Sequence, residues 1–177
     1  TLADAAARAI GANPLLARAM AYYHDLGKVE NPTYFIENQF GMQNPHDLLE
    51  PKESAEIIRS HVTAGVALAR RFKIPSEVTQ GIVCHHGDGV MRYFYEKARS
   101  DDGERVNIDD FRHIGHKPRT AETAILMLAD SLEAACRAVF QSEEPTPDAI
   151  EKVVNRIVDE KVEDGQLSES PLTLAEL

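Results

Sequence analysis

Two pairs of adjacent residues, His24-Asp25 and His85-His86, carry the side chains best suited to chemistry in this chain. The seven histidines are at 24, 46, 61, 85, 86, 113 and 116. His24 follows Ala17, Met20 and Ala21 on one helical face. His61 interrupts the stripe Ile57/Ile58, Gly65, Leu68, Phe72, and His85 and His86 end the apolar run Ile82-Val83-Cys84. A buried imidazole needs partners for both ring nitrogens, so four such placements are costly unless something gathers them. One histidine on an apolar face is ordinarily a satisfied core residue; four, two of them beside another ligand type, point to metal. Imidazole and carboxylate together suit Fe, Mn, Zn or Ni and not Ca or Mg alone. Neighbouring helical residues point about 100° apart, so an adjacent pair can serve two ions or wrap around one. Asp130 follows the apolar run Ala124-Ile-Leu-Met-Leu-Ala129 and needs a metal or a strong donor there, unless it is partly exposed. His46, His113 and His116 fall in loops and are expected to be exposed.

The elements that must position these residues read as all-α. Residues 1–10 are an alanine-rich helical segment. Residues 15–26 form a helix with Asn13 as N-cap, Pro14 near N1 and Gly27 as its stop. Residues 28–50, rich in proline and asparagine, form a long loop with one helical turn at 34–39. A strong helix spans 51–72, and another, with Pro75 at N1, spans 75–86. Residues 90–98 are a short aromatic helix, 100–119 a polar loop, and 120–141 a long helix. An amphipathic helix covers 149–162, and a short one starts near Thr173. No alternating strand pattern occurs.

With 177 residues and 19.6 kDa the chain is one domain of ordinary core size. It carries 19 basic and 29 acidic residues, a net charge of −10, which disfavours long nucleic acid and anionic membrane surfaces as partners. A small phosphorylated ligand would need local cations. Lys28 stands one helical turn past His24-Asp25 and could neutralise phosphate, or be a solvated cation at a helix end. Arg137 lies two turns past Asp130, although Glu133 four residues before it offers a surface pair. Lys117 and Thr120 flank a helix start, which is a phosphate site or simply a cap. Tyr93, Phe94 and Tyr95 could stack on a base or fill the core. Asn38, Gln39, Asn44 and Asp47 could reach a ligand from the long loop. Two cysteines make no disulfide framework, and no run of 18 apolar residues or secretory leader occurs, so a reducing compartment is expected.

The segment His24-Asp-Leu-Gly-Lys28, with His61, His85-His86 and Asp130, resembles the HD-domain metal phosphohydrolase superfamily and its HD-x-G-K signature. The stretches Tyr34-Phe-Ile-Glu-Asn-Gln39, Asn44-Pro-His-Asp47 and Lys117-Pro-Arg-Thr-Ala-Glu-Thr-Ala-Ile125 are similar to the cytoplasmic HD domain of the seven-transmembrane HD receptors. That resemblance implies an all-α helical bundle over residues 1–177, an N-terminally shortened piece of a bacterial inner-membrane protein. It implies a phosphodiesterase that opens cyclic di-AMP to 5′-pApA with two transition-metal ions, iron or manganese. His61, His85, His86 and Asp25 would hold one ion, and His24, Asp25 and Asp130 the other. Asp25 and Lys28 would be catalytic; Lys28, Tyr93, Lys117, Thr120 and Arg137 would bind substrate. The family has a further metal-binding histidine upstream, and none precedes His24 here, so the second site is expected to be one ligand short. The cyclic di-GMP phosphodiesterases also carry a His-His pair, but their GYP element is absent after Gly87-Asp-Gly89. Another nucleotide as substrate, or a signalling module that binds without cleaving, are the alternatives.

Overall fold

The computed structural model describes every residue except 40, 42, 103 and 104. Its helices are α1 (Leu2–Ala9), α2 (Pro14–Tyr23), α3 (Pro51–Arg71), α4 (Ser76–Cys84), α5 (Arg92–Asp102), α6 (Ala121–Val139) and α7 (Pro147–Glu163). The only extended pairing among the described residues is one bridge between Val90 and Arg112. No helix among them is long and apolar enough to cross a membrane. Local chemistry sets the helix starts. The Asn13 side chain accepts from the Leu16 N–H at 3.1 Å, with Pro14 at the first helical position. Thr120 and Thr123 cap α6 reciprocally, and Thr146 caps α7 two residues earlier than the pattern at 149 suggests.

Glycines let the three ligand-bearing elements approach. α2 ends at Tyr23, and the chain tightens into a 3₁₀ turn, Leu26–Glu30, so Gly27 is not a helix stop. A Cβ on Gly27 would lie 1.9 Å from the His61 carbonyl oxygen and 2.5 Å from the Gly65 nitrogen. The turn after His24-Asp25 therefore rests directly on the α3 backbone at His61. One turn further along α3, a Cβ on Gly65 would meet the Ile82 side chain of α4 at 2.8 Å. On α4 a Cβ on Gly81 would meet Met20 of α2 at the same distance. Close approach at three glycines thus draws α2 and the turn after it, α3 and α4 together.

Several elements depart from the sequence pattern. The buried face of α3 runs through Ser54, Ala55, His61, Val62, Gly65 and Ala69 and stops there. Phe72, where the helix ends, is 64% exposed under the Arg71 guanidinium. Residues 28–50 form four 3₁₀ turns rather than one helical turn in a loop. Pro75 is the N-cap of α4, which ends before His85 and His86. α5 runs on to Asp102, and the Ile108–Phe111 turn buries Phe111 with Ala55, Met91 and Ala98; positions 103 and 104 of the expected polar loop lie outside the described residues. No helix follows Thr173, because its N–H and hydroxyl both bond the Glu176 carboxylate in a turn. A Gly27→Ala variant should lose about 3 kcal/mol, since backbone and not a flexible side chain blocks the new methyl. Urea denaturation measures this; an unchanged midpoint would refute the close approach.

Candidate metal centre

The ligand histidines share one local device. His24 Nδ1 donates to the Ala21 carbonyl at 2.9 Å, and His85 Nδ1 to the Ile82 carbonyl at 2.9 Å. His61 Nδ1 does the same to Ile58. Each donor reaches back one turn on its own segment. With Nδ1 bound to a carbonyl, Nε2 is the nitrogen left to face the centre in all three rings. His61 Nε2 and His85 Nε2 are 3.1 Å apart, and each is 3.7 Å from Asp25 Oδ1. His24 Nε2 lies 3.1 Å from Asp25 Oδ2 and 3.4 Å from Asp130 Oδ1. His86 Nδ1 is 3.7 Å from the other Asp130 oxygen.

Two groups result, His61–His85–His86 and His24–Asp25–Asp130, each with its ligand atoms within 4.8 Å of one another. Asp25 joins them, one oxygen toward each. Its Oδ1 is buried and accepts no hydrogen bond. Facing imidazole lone pairs and an orphaned carboxylate oxygen are a poor arrangement for an interior without a cation and a suitable one with it. The mixed nitrogen and oxygen donors fit two divalent transition-metal ions.

Electrostatics agree with that reading. Burial holds His61 below its ordinary value, His85 down to about 4, and His86 well below, so all three are neutral donors. Burial also works against the charged form of His24, but bonds to Asp130 and Asp25 outweigh it and raise the ring to about 10. Burial opposes ionisation of Asp25 too, yet His24 and Lys28 hold its carboxyl well below the usual range. The Lys28 ammonium sits 2.6 Å from Asp25 Oδ2 and 2.6 Å from Glu37 Oε1, with the Phe35 ring 5.0 Å away. Those carboxylates keep it charged against its burial.

The centre forms the floor of a cleft of about 660 Å³. Lys28 and Arg137 line it, and Arg137 also pairs with Glu133. Gln39 and Asn44 reach the cleft, whereas Asn38 bonds the Pro32 carbonyl and Asp47 faces outward. Tyr93 is 68% exposed and does not line the cleft; its neighbour Phe94 does. Lys117 and Thr120 are not brought to it. They precede Asp130 by ten residues or more, about 15 Å along α6, and the Thr120 hydroxyl is used in capping. His46 and His113 are not exposed as expected, though His116 is. His46 Nε2 donates to the Tyr34 carbonyl at 2.9 Å between the Tyr34 and Phe94 rings. His113 stacks on His86, with ring centroids 4.2 Å apart. Glu37 and Phe35 also escaped residue-by-residue reading. A glutamate nine residues past Lys28 is at no helical spacing from it, and loops carry no period to mark their buried side.

A family model described as HD domain matches residues 1–135. The chain belongs to the HD-domain family. It is 47% identical over 176 residues to a Bacillus subtilis protein named Cyclic-di-AMP phosphodiesterase PgpH, covering 99% of this chain and 24% of that protein. To the protein of the same name in Listeria monocytogenes it is 40% identical over 176 residues, again 24% of the relative. The chain therefore spans about a quarter of the length of these relatives. Crystal structures of the Listeria monocytogenes PgpH HD domain, one in complex with cyclic-di-AMP, superpose with TM-scores of 0.90 and 0.92. Both are 40% identical to this chain and cover 99% of it and 80% of theirs. HD-domain membership implies divalent-metal binding, which the donor set here fits.

Without metal, the raised His24 value stabilises the fold fully below its ordinary 6.5, and the contribution is lost as pH rises through about 10. In EDTA, the urea-midpoint gap between wild type and His24→Gln should therefore shrink between pH 6 and pH 10. A gap that is constant or widens would contradict the His24–Asp25–Asp130 pairing.

Proposed function

We propose that this chain hydrolyses cyclic di-AMP to 5′-pApA, using two divalent transition-metal ions, iron or manganese. The observation that carries this is Asp25, set between two ligand groups on the floor of a cleft sized for a small ligand. The names of the two PgpH relatives and the cyclic-di-AMP complex support the choice of nucleotide.

His61, His85 and His86 with one oxygen of Asp25 would hold one ion, and His24, Asp130 and the other oxygen of Asp25 the second. When bound, such ions supply Lewis acidity and a water nucleophile at neutral pH. The chain's own residues supply position and charge. In a protein of net charge −10 a dianionic ligand needs local cations, and Lys28 and Arg137 stand at the cleft. Lys28, kept charged between Asp25 and Glu37, is a fixed positive charge for phosphate oxygens. Tyr34, Phe35, His46 and Phe94 give the cleft an aromatic wall on which an adenine can stack. In the reaction the oxygen of water bonds to one phosphorus, the P–O3′ bond opposite breaks, and the 3′-oxygen takes up a proton. The 5′-phosphate stays on the linear product. We also infer that the chain is the catalytic portion of a longer protein with membrane segments elsewhere, supported by its share of its relatives' length and its resemblance to the seven-transmembrane HD receptors.

With Mn²⁺ supplied, chromatography should show cyclic di-AMP converted to 5′-pApA, with cyclic di-GMP a much poorer substrate. Cyclic di-AMP bound but left intact would instead indicate a binding module. The double change His24→Ala and Asp25→Ala should abolish turnover; retained turnover would refute the site. Lys28→Ala should lower turnover about 100-fold with metal content unchanged. Equal loss of metal would make Lys28 a structural residue.

A further inference from the structure

His86 is the exception among the ligand histidines. His24, His61 and His85 are each tethered through Nδ1 to a carbonyl one turn back. The ring of His86 makes no hydrogen bond among the described residues, and its Nδ1 is 3.7 Å from Asp130 Oδ2. The carbonyl one turn back from it, that of Val83, accepts the His116 N–H at 3.2 Å instead. Something else must set its direction.

Two features do so. The His113 ring stacks on it nearly parallel, with centroids 4.2 Å apart and planes at 28°. The segment bearing His113 is laced to the turn after His86. His113 N–H donates to the Gly89 carbonyl at 2.9 Å, Gly115 N–H to Gly87 at 3.0 Å, and the Arg112 guanidinium to Asp88 at 3.0 Å. His113 Nδ1 is buried and makes no hydrogen bond, which leaves the ring face as its contribution.

The second feature comes from beyond the residues that the family model matches. α7 ends in a Schellman motif: Gly165 at φ +67° donates to the Val162 carbonyl and Gln166 to that of Lys161, both at 3.0 Å. This sends the Gln166 side chain into the protein, where it is 1% exposed. Its Nε2 donates to Asp88 Oδ1 at 2.7 Å and to Asp164 Oδ2 at 2.9 Å; its Oε1 accepts the Asp88 N–H at 3.3 Å. Gly87, at φ +56°, yields to it, since a Cβ there would lie 2.2 Å from Oε1. A buried amide holding the turn next to a ligand pair is costly to keep for packing alone.

We infer that His113 and Gln166 are positioning residues that orient the His86 ring toward the metal centre, one by stacking on its face and the other by clamping the 87–89 turn. The role rests on the metal-dependent reading above, but the orientation itself exists without metal. The test therefore has two readouts on the whole chain. In EDTA, histidine ring resonances assigned by NMR should show His86 protons shielded by the His113 ring. The part due to His113 should vanish in His113→Ala, persist in His113→Phe and weaken in Gln166→Leu, while the part due to the His85 ring, whose centroid is 3.9 Å from that of His86, remains. Asp88→Ala, which removes the Gln166 acceptor from the turn, should match Gln166→Leu and replaces it should that variant not fold. Mn²⁺ affinity, read by electron paramagnetic resonance, should fall about 10- to 100-fold in His113→Ala and Gln166→Leu and stay near wild type in His113→Phe. Unchanged ring shifts in His113→Ala would overturn the inference. So would a His113→Phe variant as weak for Mn²⁺ as His113→Ala, which would make the His113 nitrogen a ligand. Wild type that binds no Mn²⁺ would sink the metal reading alone, leaving the ring shifts to decide whether His86 is held as described.

Discussion

Nitrogen lone pairs and carboxylates brought together inside a helical protein repel unless positive charge joins them, and this constraint runs through the whole molecule. His61 Nε2 and His85 Nε2 face each other at 3.1 Å with their Nδ1 atoms already committed to main-chain carbonyls. Neither ring can turn away without leaving its own Nδ1–H unpaired. The orphaned Asp25 oxygen lies against the same two rings. Elsewhere in the centre a proton on His24 and the Lys28 ammonium compensate the acids, which is why His24 is raised while its neighbours are depressed. A divalent cation at each group would satisfy all of these atoms together.

Backbone proximity makes that convergence possible. A tilt of α2, α3 or α4 by the width of one methyl group would separate the ligands, and the three glycines at 27, 65 and 81 remove that methyl at each crossing. The tethers then convert backbone position into ring direction, because each reaches only one turn back along its own segment. For His86 the carbonyl one turn back, that of Val83, accepts the His116 N–H, and stacking and a clamped turn stand in for a tether. Helix α7, outside the stretch that the family model matches, is thereby tied to the centre through Gln166 as well as to α6 through packing.

Charge in the cleft differs from that of the chain as a whole. The protein is strongly acidic overall, yet the walls around the centre carry Lys28 and Arg137, each already paired with a glutamate. A paired cation keeps its position and its proton while retaining free donors for an incoming phosphate. The same acidic surroundings disfavour a long polyanion, whose many phosphates could not all reach these few cations.

Residue types and short-range spacing were enough for the helical class, the Asn13 and Thr120 caps and the members of the candidate metal centre. Those features depend on periodicity over a turn or two and on the cost of polar groups on apolar faces, both of which are local. The grouping of His61, His85 and His86 apart from His24, Asp25 and Asp130 became visible only with resemblance and geometry, since spacing alone allowed several groupings. Packing decided the rest. It ended α2 before Gly27, exposed Phe72 and Tyr93, set Lys117 and Thr120 well away from the cleft, and buried His46 and half-buried His113 in segments that have no period to read. Glu37 reaches Lys28 across an irregular loop and Gln166 reaches Asp88 from a distant segment, and a contact of either kind leaves no trace in the order of residues around its partners.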